Sequence, residues 1–229
     1  VYMRYYVFFI LFICFGFPVF ADSPLDSLAK ELVTVVYNKR IYDHKKQEGV
    51  AKLQKELRTT KEPTARYVLY NKLAKEYQKY QIDSAIKYVE ASMAIARQGN
   101  RPDLLDESSI FLAQLFSSGG KHIESERLLM QIDRAKLSDS LLPAYYYAYS
   151  EFCSHYGQGS NSYTYFQRSE SYRDSLLSVL DKSSLTYRIT LATKHLYQQD
   201  TKLAEQELLQ LFVETQNVQV EKALISYLL

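Results

Sequence analysis

The chain has 229 residues, of which 47% are hydrophobic, enough for one ordinary domain or a short array of repeats with a sizeable core. Only 7 glycines and 5 prolines argue against a β-sandwich with its many tight turns, whereas 21 tyrosines suit helices that pack through large, half-polar rings. The formal net charge is +2, with acids and bases interspersed, so the composition shows no sign of a nucleic-acid-binding surface.

Residues 1–21 have the layout of a secretory signal peptide. A short positive region at Met3-Arg4 is followed by an almost wholly apolar stretch over residues 5–20. Val19 and Ala21 place small residues at the two positions that a signal peptidase reads. We therefore predict export with cleavage after Ala21. The alternative is an uncleaved anchor, for which the apolar stretch is short, since a membrane span needs about 20 residues.

Cleavage at this point leaves one cysteine, because Cys14 lies inside the apolar stretch. Cys153 then has no intramolecular partner for a disulfide, and the exported domain must be stabilised by packing alone. Cys153 also falls at a core position of the repeats described below. We expect it to be a packing residue rather than a reactive thiol.

Residues 22–62 are predicted to form an N-terminal helical segment. Apolar residues recur at helical spacing over residues 25–36 and less regularly over residues 41–57. Asn38 and Gly49 are weak points, so we expect a break into two helices. The second part is highly charged and is interpreted as a solvated helix face.

Residues 63–229 repeat a unit of two helices joined by a short turn. Each first helix carries large, small and aromatic residues at fixed spacing, and each second helix carries small, large and small residues spaced by four and three. Small residues are needed where the two helices of a unit cross closely. The small residues of the first helices are Ala74, Ala113, Ser150 and Ala192, and those that open the second helices are Ala85, Ser125, Ser162 and Ala204.

The units are longer than the roughly 34 residues of the standard tetratricopeptide repeat (TPR), and longer loops absorb the difference. Gly120 and Gly157 are placed in the turns of the second and third units. About four units in register, with the start of a fifth from Asn217, predict an all-α, TPR-like helical-hairpin solenoid, an α-α superhelix. An irregular helical bundle is the alternative. Because a solenoid needs a polar terminal face and this chain stops on apolar residues, we expect it to be part of a longer protein.

No catalytic, metal or cofactor site is predicted. The four histidines show no metal-ligand spacing, and His122 and His195 fall at packing positions of the repeats. Gly119-Gly120-Lys121 lacks the Ser/Thr and the upstream glycine of a phosphate-binding loop and is interpreted as an interhelical turn. We expect a binding protein and not an enzyme.

The run Tyr145-Tyr146-Tyr147-Ala148-Tyr149 is the most unusual local feature. Helical geometry predicts that Tyr146 and Tyr149 face the core and that Tyr147 faces the concave surface lined by the first helices. Side chains there can hold a peptide, protein or glycan ligand; the alternative is an ordinary polar surface. The candidate binding residues on that surface are Asn71, Lys75, Gln114, Tyr147, Glu151 and Thr193.

The layout resembles a family of bacterial envelope regulators. The resemblance is carried by the signal peptide, the charged helix and the stretches Asp26-Ser27-Leu28, Tyr80-Gln81-Ile82-Asp83-Ser84-Ala85 and Tyr172-Arg173-Asp174-Ser175-Leu176. It implies a periplasmic TPR sensor, followed in such proteins by one transmembrane helix and a cytoplasmic helix-turn-helix DNA-binding region. Those later parts lie outside this chain, which would be the N-terminal sensory part.

We therefore expect an exported interaction or sensor domain of a membrane-bound transcriptional regulator, periplasmic and part of an inner-membrane protein. The alternative is a free periplasmic TPR scaffold for complex assembly. No nucleic acid is expected to bind this part of the protein, and membrane attachment is expected only through a segment that follows it.

Overall fold

A computed structural model describes residues 24–215 together with Ile225 and Leu228. The predicted signal peptide and most of the predicted fifth unit lie outside the described residues. The chain divides into two compact units, Val1–Lys39 and Arg40–Leu229. The described part of the first unit is helix α1 (Pro24–Tyr37).

Nine further α-helices follow α1 in the described residues. They are α2 (Lys39–Thr59), α3 (Pro63–Tyr77), α4 (Ile82–Gln98), α5 (Pro102–Ser118), α6 (His122–Gln131), α7 (Leu142–Ser160), α8 (Tyr163–Val179), α9 (Leu185–Tyr197) and α10 (Thr201–Glu214). Helices α3/α4, α5/α6, α7/α8 and α9/α10 pack as hairpins. Successive hairpins pack through α4 on α5, α5 and α6 on α7, and α8 on α9. The described chain is therefore an all-α array of helical hairpins, which confirms the predicted fold class.

The helix ends follow from local chemistry. Pro63 and Pro102 stand in the first turns of α3 and α5, where the missing N–H of proline costs no helical hydrogen bond. The Glu62 carboxylate caps α3 by accepting from the backbone N–H groups of the first turn. Gly120 ends the second unit's turn at a φ of 76°, a conformation that a residue with a side chain rarely adopts. The glycine pair is thus an interhelical turn, as predicted.

The predicted break in the N-terminal segment is present at one of its two positions. α1 ends at Tyr37 and α2 begins at Lys39, on either side of Asn38. Gly49, the other weak point, lies inside α2 and does not interrupt it, so the segment forms two helices with the break at Asn38. The cost of one glycine in a long helix is only about 1 kcal/mol, which is too little to end it.

Helix α2 contacts the first hairpin through one narrow face. Val50 is its one buried apolar residue among those described, and most of its charged side chains are exposed. The Gln54 side-chain amide lies 3.4 Å from the Tyr77 hydroxyl and 3.3 Å from the Tyr88 hydroxyl. The Lys46 ammonium lies 4.5 Å from the centre of the Tyr80 ring. The predicted solvated face is therefore interrupted by a polar and aromatic contact.

The small residues of the first helices are buried as the repeat pattern requires. Ala74, Ala113 and Ala192 are each 0% exposed, and Ser150 is 3% exposed. The Ser125 hydroxyl of α6 donates a 2.8 Å hydrogen bond to the carbonyl of Ala113 on α5, which brings the two helices into close contact. Small side chains permit this approach, and a larger one at the same place would force the pair apart.

The third hairpin differs from the sequence-based alignment. Ser150 of α7 and Ser169 of α8 each donate a hydrogen bond to the other's carbonyl, at 3.1 Å and 2.9 Å. Ser169 therefore takes the place that Ser125 holds in the second hairpin, and Ser162, chosen from the sequence, lies outside the helix as the residue before α8. Gly157 lies within α7 and not in the turn.

The cause of this shift is that α7 and α8 both continue beyond their close crossing. In this extension a β-carbon on Gly157 would lie 3.3 Å from the β-carbon of Tyr165 and 3.4 Å from the Phe166 ring. The glycine allows two helices to pass closely there, and the chain turns later, at Asn161 with a φ of 49°. A close-packing glycine and a turn glycine are hard to distinguish by spacing alone.

Candidate ligand groove

A cavity of about 590 Å³ lies within the array, within the range of known small-ligand sites. The end of α3 and the facing sides of α5 and α7 form most of its wall, with one residue each from α8 and α9. We call it the central groove. Its lining residues are Gln78, Lys79, Gln114, Leu115, Ser118, Pro143, Ala144, Tyr147, Glu151, Leu176 and Thr186.

Three of the six residues predicted from the sequence lie together in this groove. Tyr147 and Glu151 stand one turn apart on α7, and Gln114 faces them from α5. The Tyr147 residue is 45% exposed and the Glu151 side chain 35% exposed, so both can contact a ligand. The Gln114 side-chain amide lies 3.5 Å from the carbonyl of Ala144, which holds it against the groove wall.

The other three predicted residues do not line the groove. The Asn71 side chain donates to the Tyr67 carbonyl at 3.2 Å and lies 3.4 Å from the Ser92 hydroxyl, so it joins α3 to α4. The Thr193 hydroxyl donates to the Ile189 carbonyl of its own helix at 2.8 Å. Lys75 is exposed on α3.

The tyrosine run is more buried than its helical pattern predicted. Tyr146 and Tyr149 are buried, as expected, but Tyr145 is also buried, at 7% exposure. The Tyr145 ring packs edge-on against Tyr149 with centres 5.0 Å apart, and Tyr149 stacks on Tyr172 of α8 at 4.5 Å. Tyr147 is therefore the one ring of the run that is exposed.

A chain of polar contacts leads from the groove into the array. Burial and the negative charge of the adjacent Glu151 carboxylate raise the pKa of Tyr147 above its usual range. Nε2 of His155 lies 3.8 Å from Glu151, and its Nδ1 lies 2.8 Å from the hydroxyl of Ser117 on α5. Sequence reasoning missed His155, although its position four residues after Glu151 on a helix gave a signal.

Arg173 lies buried behind the groove, between the third and fourth hairpins. It is 4% exposed, pairs with Glu170, and has its guanidinium 4.5 Å from the centre of the Tyr197 ring of α9. By the register that Ser169 sets, Arg173 corresponds to Val89, Leu129 and Leu208 of the other second helices. A cation thus stands where the other units have an aliphatic side chain.

Cys153 and the two histidines at packing positions, His122 and His195, are in contact with neighbouring side chains of the array. Cys153 is fully buried, and its burial raises the pKa of the thiol to about 11, so it is not poised as a nucleophile. His122 packs edge-on against Tyr156 with ring centres 5.8 Å apart, and His195 Nδ1 lies 3.1 Å from Glu207. Among the described residues, no group of three or more histidine, cysteine or acidic residues is placed to hold a metal ion.

None of the helices in the part of the chain that the structure describes has the length and apolar character to cross a membrane.

Comparison with known proteins places this array in a family. A family model described as the SusR N-terminal TPR domain matches residues 36–229, which include α2 and all four hairpins. Among solved structures, the chain is similar to nearly identical TPR-like repeats of a Podosopora anserina protein described as a kinesin light chain. The two are 20% identical with a TM-score of 0.45, over 87% of this chain and 100% of that one. No curated protein sequence matches the chain.

Proposed function

Because the chain belongs to the SusR N-terminal TPR domain family, we propose that it is the exported, ligand-sensing interaction domain of a membrane-bound transcriptional regulator. Its ligand is an extended peptide segment of a partner protein, held in the central groove. The observation that carries this proposal is the grouping of Tyr147, Glu151 and Gln114, from two neighbouring first helices, in one cavity of about 590 Å³.

The chemistry of the groove suits a peptide. Gln78 and Gln114 offer amide groups that can donate to and accept from a peptide backbone. Pro143 and Ala144, both partly exposed, add apolar surface for side chains. The exposed Tyr147 ring gives a large, rigid contact of the kind that dominates many protein interfaces.

The sensor role is supported by the apolar residues 5–20 and by the resemblance to envelope regulators, and it makes the periplasm the place of binding. The rival is a free periplasmic scaffold. Fractionation of cells that express the complete gene product separates the two. A regulator stays with the inner membrane after an alkaline carbonate wash, whereas a free scaffold is recovered in the soluble periplasmic fraction.

The ligand class is tested by selection against the purified domain from a library of random linear peptides and, in parallel, a panel of oligosaccharides. Peptides are expected to bind, and Tyr147→Ala should weaken the best one at least ten-fold, about 1.4 kcal/mol, because an aromatic anchor is removed. Tyr163→Ala is the matched control, since Tyr163 is 74% exposed on α8 and does not line the groove.

Equal losses of affinity in the two variants, or a loss that follows a lowered melting temperature, would remove the groove as the site. Binding of oligosaccharides alone, with the same dependence on Tyr147, would keep the groove and replace the peptide by a glycan.

A further inference from the structure

The charges of the central groove are few and come from different parts of the array. Among the described residues that line it, Glu151 on α7 is the one carboxylate and Lys79, just beyond the end of α3, is the one ammonium group. Lys79 is exposed. A ligand in the groove therefore meets an acidic position beside Tyr147 and a basic position where α3 ends.

The Glu151 carboxylate keeps much of its capacity to accept hydrogen bonds. The Tyr147 hydroxyl lies beside it, and the carboxylate charge contributes to the raised pKa of that tyrosine. Nε2 of His155 lies 3.8 Å away, too far for a hydrogen bond, and the other ring nitrogen is engaged by Ser117 at 2.8 Å. A carboxylate has about four acceptor positions, so several remain for a ligand.

The nearby buried cation is paired with a carboxylate other than Glu151. The Arg173 guanidinium pairs with Glu170 of its own helix and lies over the ring of Tyr197 of α9. Its charge also acts on Tyr147, where it opposes the rise in the pKa that burial and Glu151 cause. Glu151 and the Tyr147 ring remain as an acid and an aromatic ring, one helical turn apart and both partly exposed in the cavity.

We propose that Tyr147 and Glu151 form a subsite for a cationic side chain, a lysine or an arginine, of the bound peptide. The carboxylate pairs with the cation, and the aromatic ring contacts it by the attraction that draws ammonium and guanidinium groups to tyrosine. Lys79 repels a cation from its own end of the groove, so the basic residue is placed at Glu151 and fixes the register of the peptide.

This inference rests on the proposed function, and its test separates the two. The probes are the capped nonapeptide Gly-Ser-Gly-Ser-Arg-Ser-Gly-Ser-Gly and the same peptide with citrulline, a neutral isostere, in place of arginine. Each is titrated into the exported domain, and affinity is read by NMR from the side-chain amide signal of Gln114, which lies in the groove.

The arginine peptide is expected to bind at least five-fold more tightly than the citrulline peptide. Glu151→Gln should remove this preference, so that the two peptides bind the variant with equal affinity. Glu205→Gln is the matched control, because Glu205 is exposed on α10 away from the lining residues, and it should keep the full preference. Melting temperatures of both variants check that the fold is retained.

Equal affinities of the two peptides for the unaltered domain would overturn the cationic subsite while leaving the groove as a peptide site. A preference for arginine that survives Glu151→Gln would overturn it as well, since the cation would then be bound elsewhere. If neither peptide shifts the Gln114 signal at millimolar concentration while library peptides still depend on Tyr147, only the subsite is lost. If no library peptide depends on Tyr147, both proposals fail.

Discussion

Arg173 is a buried cation at a position where the other units have an aliphatic side chain. The guanidinium is buried between two hairpins, and one carboxylate oxygen of Glu170 is also buried, with no hydrogen-bond partner among the described residues. A buried ion pair seldom adds much stability over an apolar pair of similar volume, but removing one partner leaves an uncompensated charge. The sequence pattern could not reveal this pair, because an arginine in a helix is usually solvated.

Arg173→Leu is expected to lower the free energy of unfolding by on the order of 2 kcal/mol, because it leaves the partly buried Glu170 carboxylate without its ion-pair partner. Arg173→Leu combined with Glu170→Ala should recover at least half of the loss, since no unpaired charge is left. Urea denaturation of the three proteins measures both changes. A more stable Arg173→Leu single variant would show that the ion pair is not needed to satisfy Glu170.

At the scale of helices, the pattern of small residues located three of the four hairpin crossings. Ala85, Ser125 and Ala204 are each 0% exposed and open their second helices as predicted. The crossing of the third hairpin was assigned to the wrong serine because the helices of that hairpin are longer. The sequence has serines at both Ser162 and Ser169. Spacing alone does not choose between them, whereas hydrogen bonds between α7 and α8 do.

The corrected register predicts different costs for three equivalent substitutions in or beside α8. Ser169→Leu should cost about 1–3 kcal/mol, because a larger side chain overpacks the crossing with Ser150. Ser162→Leu should cost less than about 1 kcal/mol, and Ser171→Leu, on the exposed face, about 0.5 kcal/mol or less. Thermal unfolding of the three variants gives the ranking. A larger loss for Ser162→Leu than for Ser169→Leu would restore the alignment read from the sequence.

For the molecule as a whole, the sequence predicted the fold class, and three of the six candidate binding residues chosen from it line the groove. Gln114, Tyr147 and Glu151 follow from helical geometry, since they lie on the outward faces of neighbouring first helices. The contributions of Lys79 and Thr186 come from helix ends and depend on how successive hairpins stack. That stacking is set by the loops and by large side chains between units, which a repeat pattern does not specify.

Export is the prediction that places the domain in its compartment. Amino-terminal sequencing of the protein from the cell envelope is expected to begin at Asp22, because Val19 and Ala21 match the small residues that a signal peptidase requires. Substitution of Ala21 by a bulky residue, such as Ala21→Phe, should slow cleavage and leave a larger precursor. Recovery of the intact protein from the cytosol, with its first 21 residues attached, would contradict export.

The most direct test of the central claim is hydrogen–deuterium exchange of the domain with and without the best peptide from the library. The groove assignment predicts slower exchange on peptide binding in the stretches 114–118 and 143–151, where the lining residues of α5 and α7 are concentrated. The exposed faces of α4 and α10 should be unchanged. Protection confined to α4, α6, α8 or α10, with none on α5 and α7, would contradict the claim that the first helices hold the ligand.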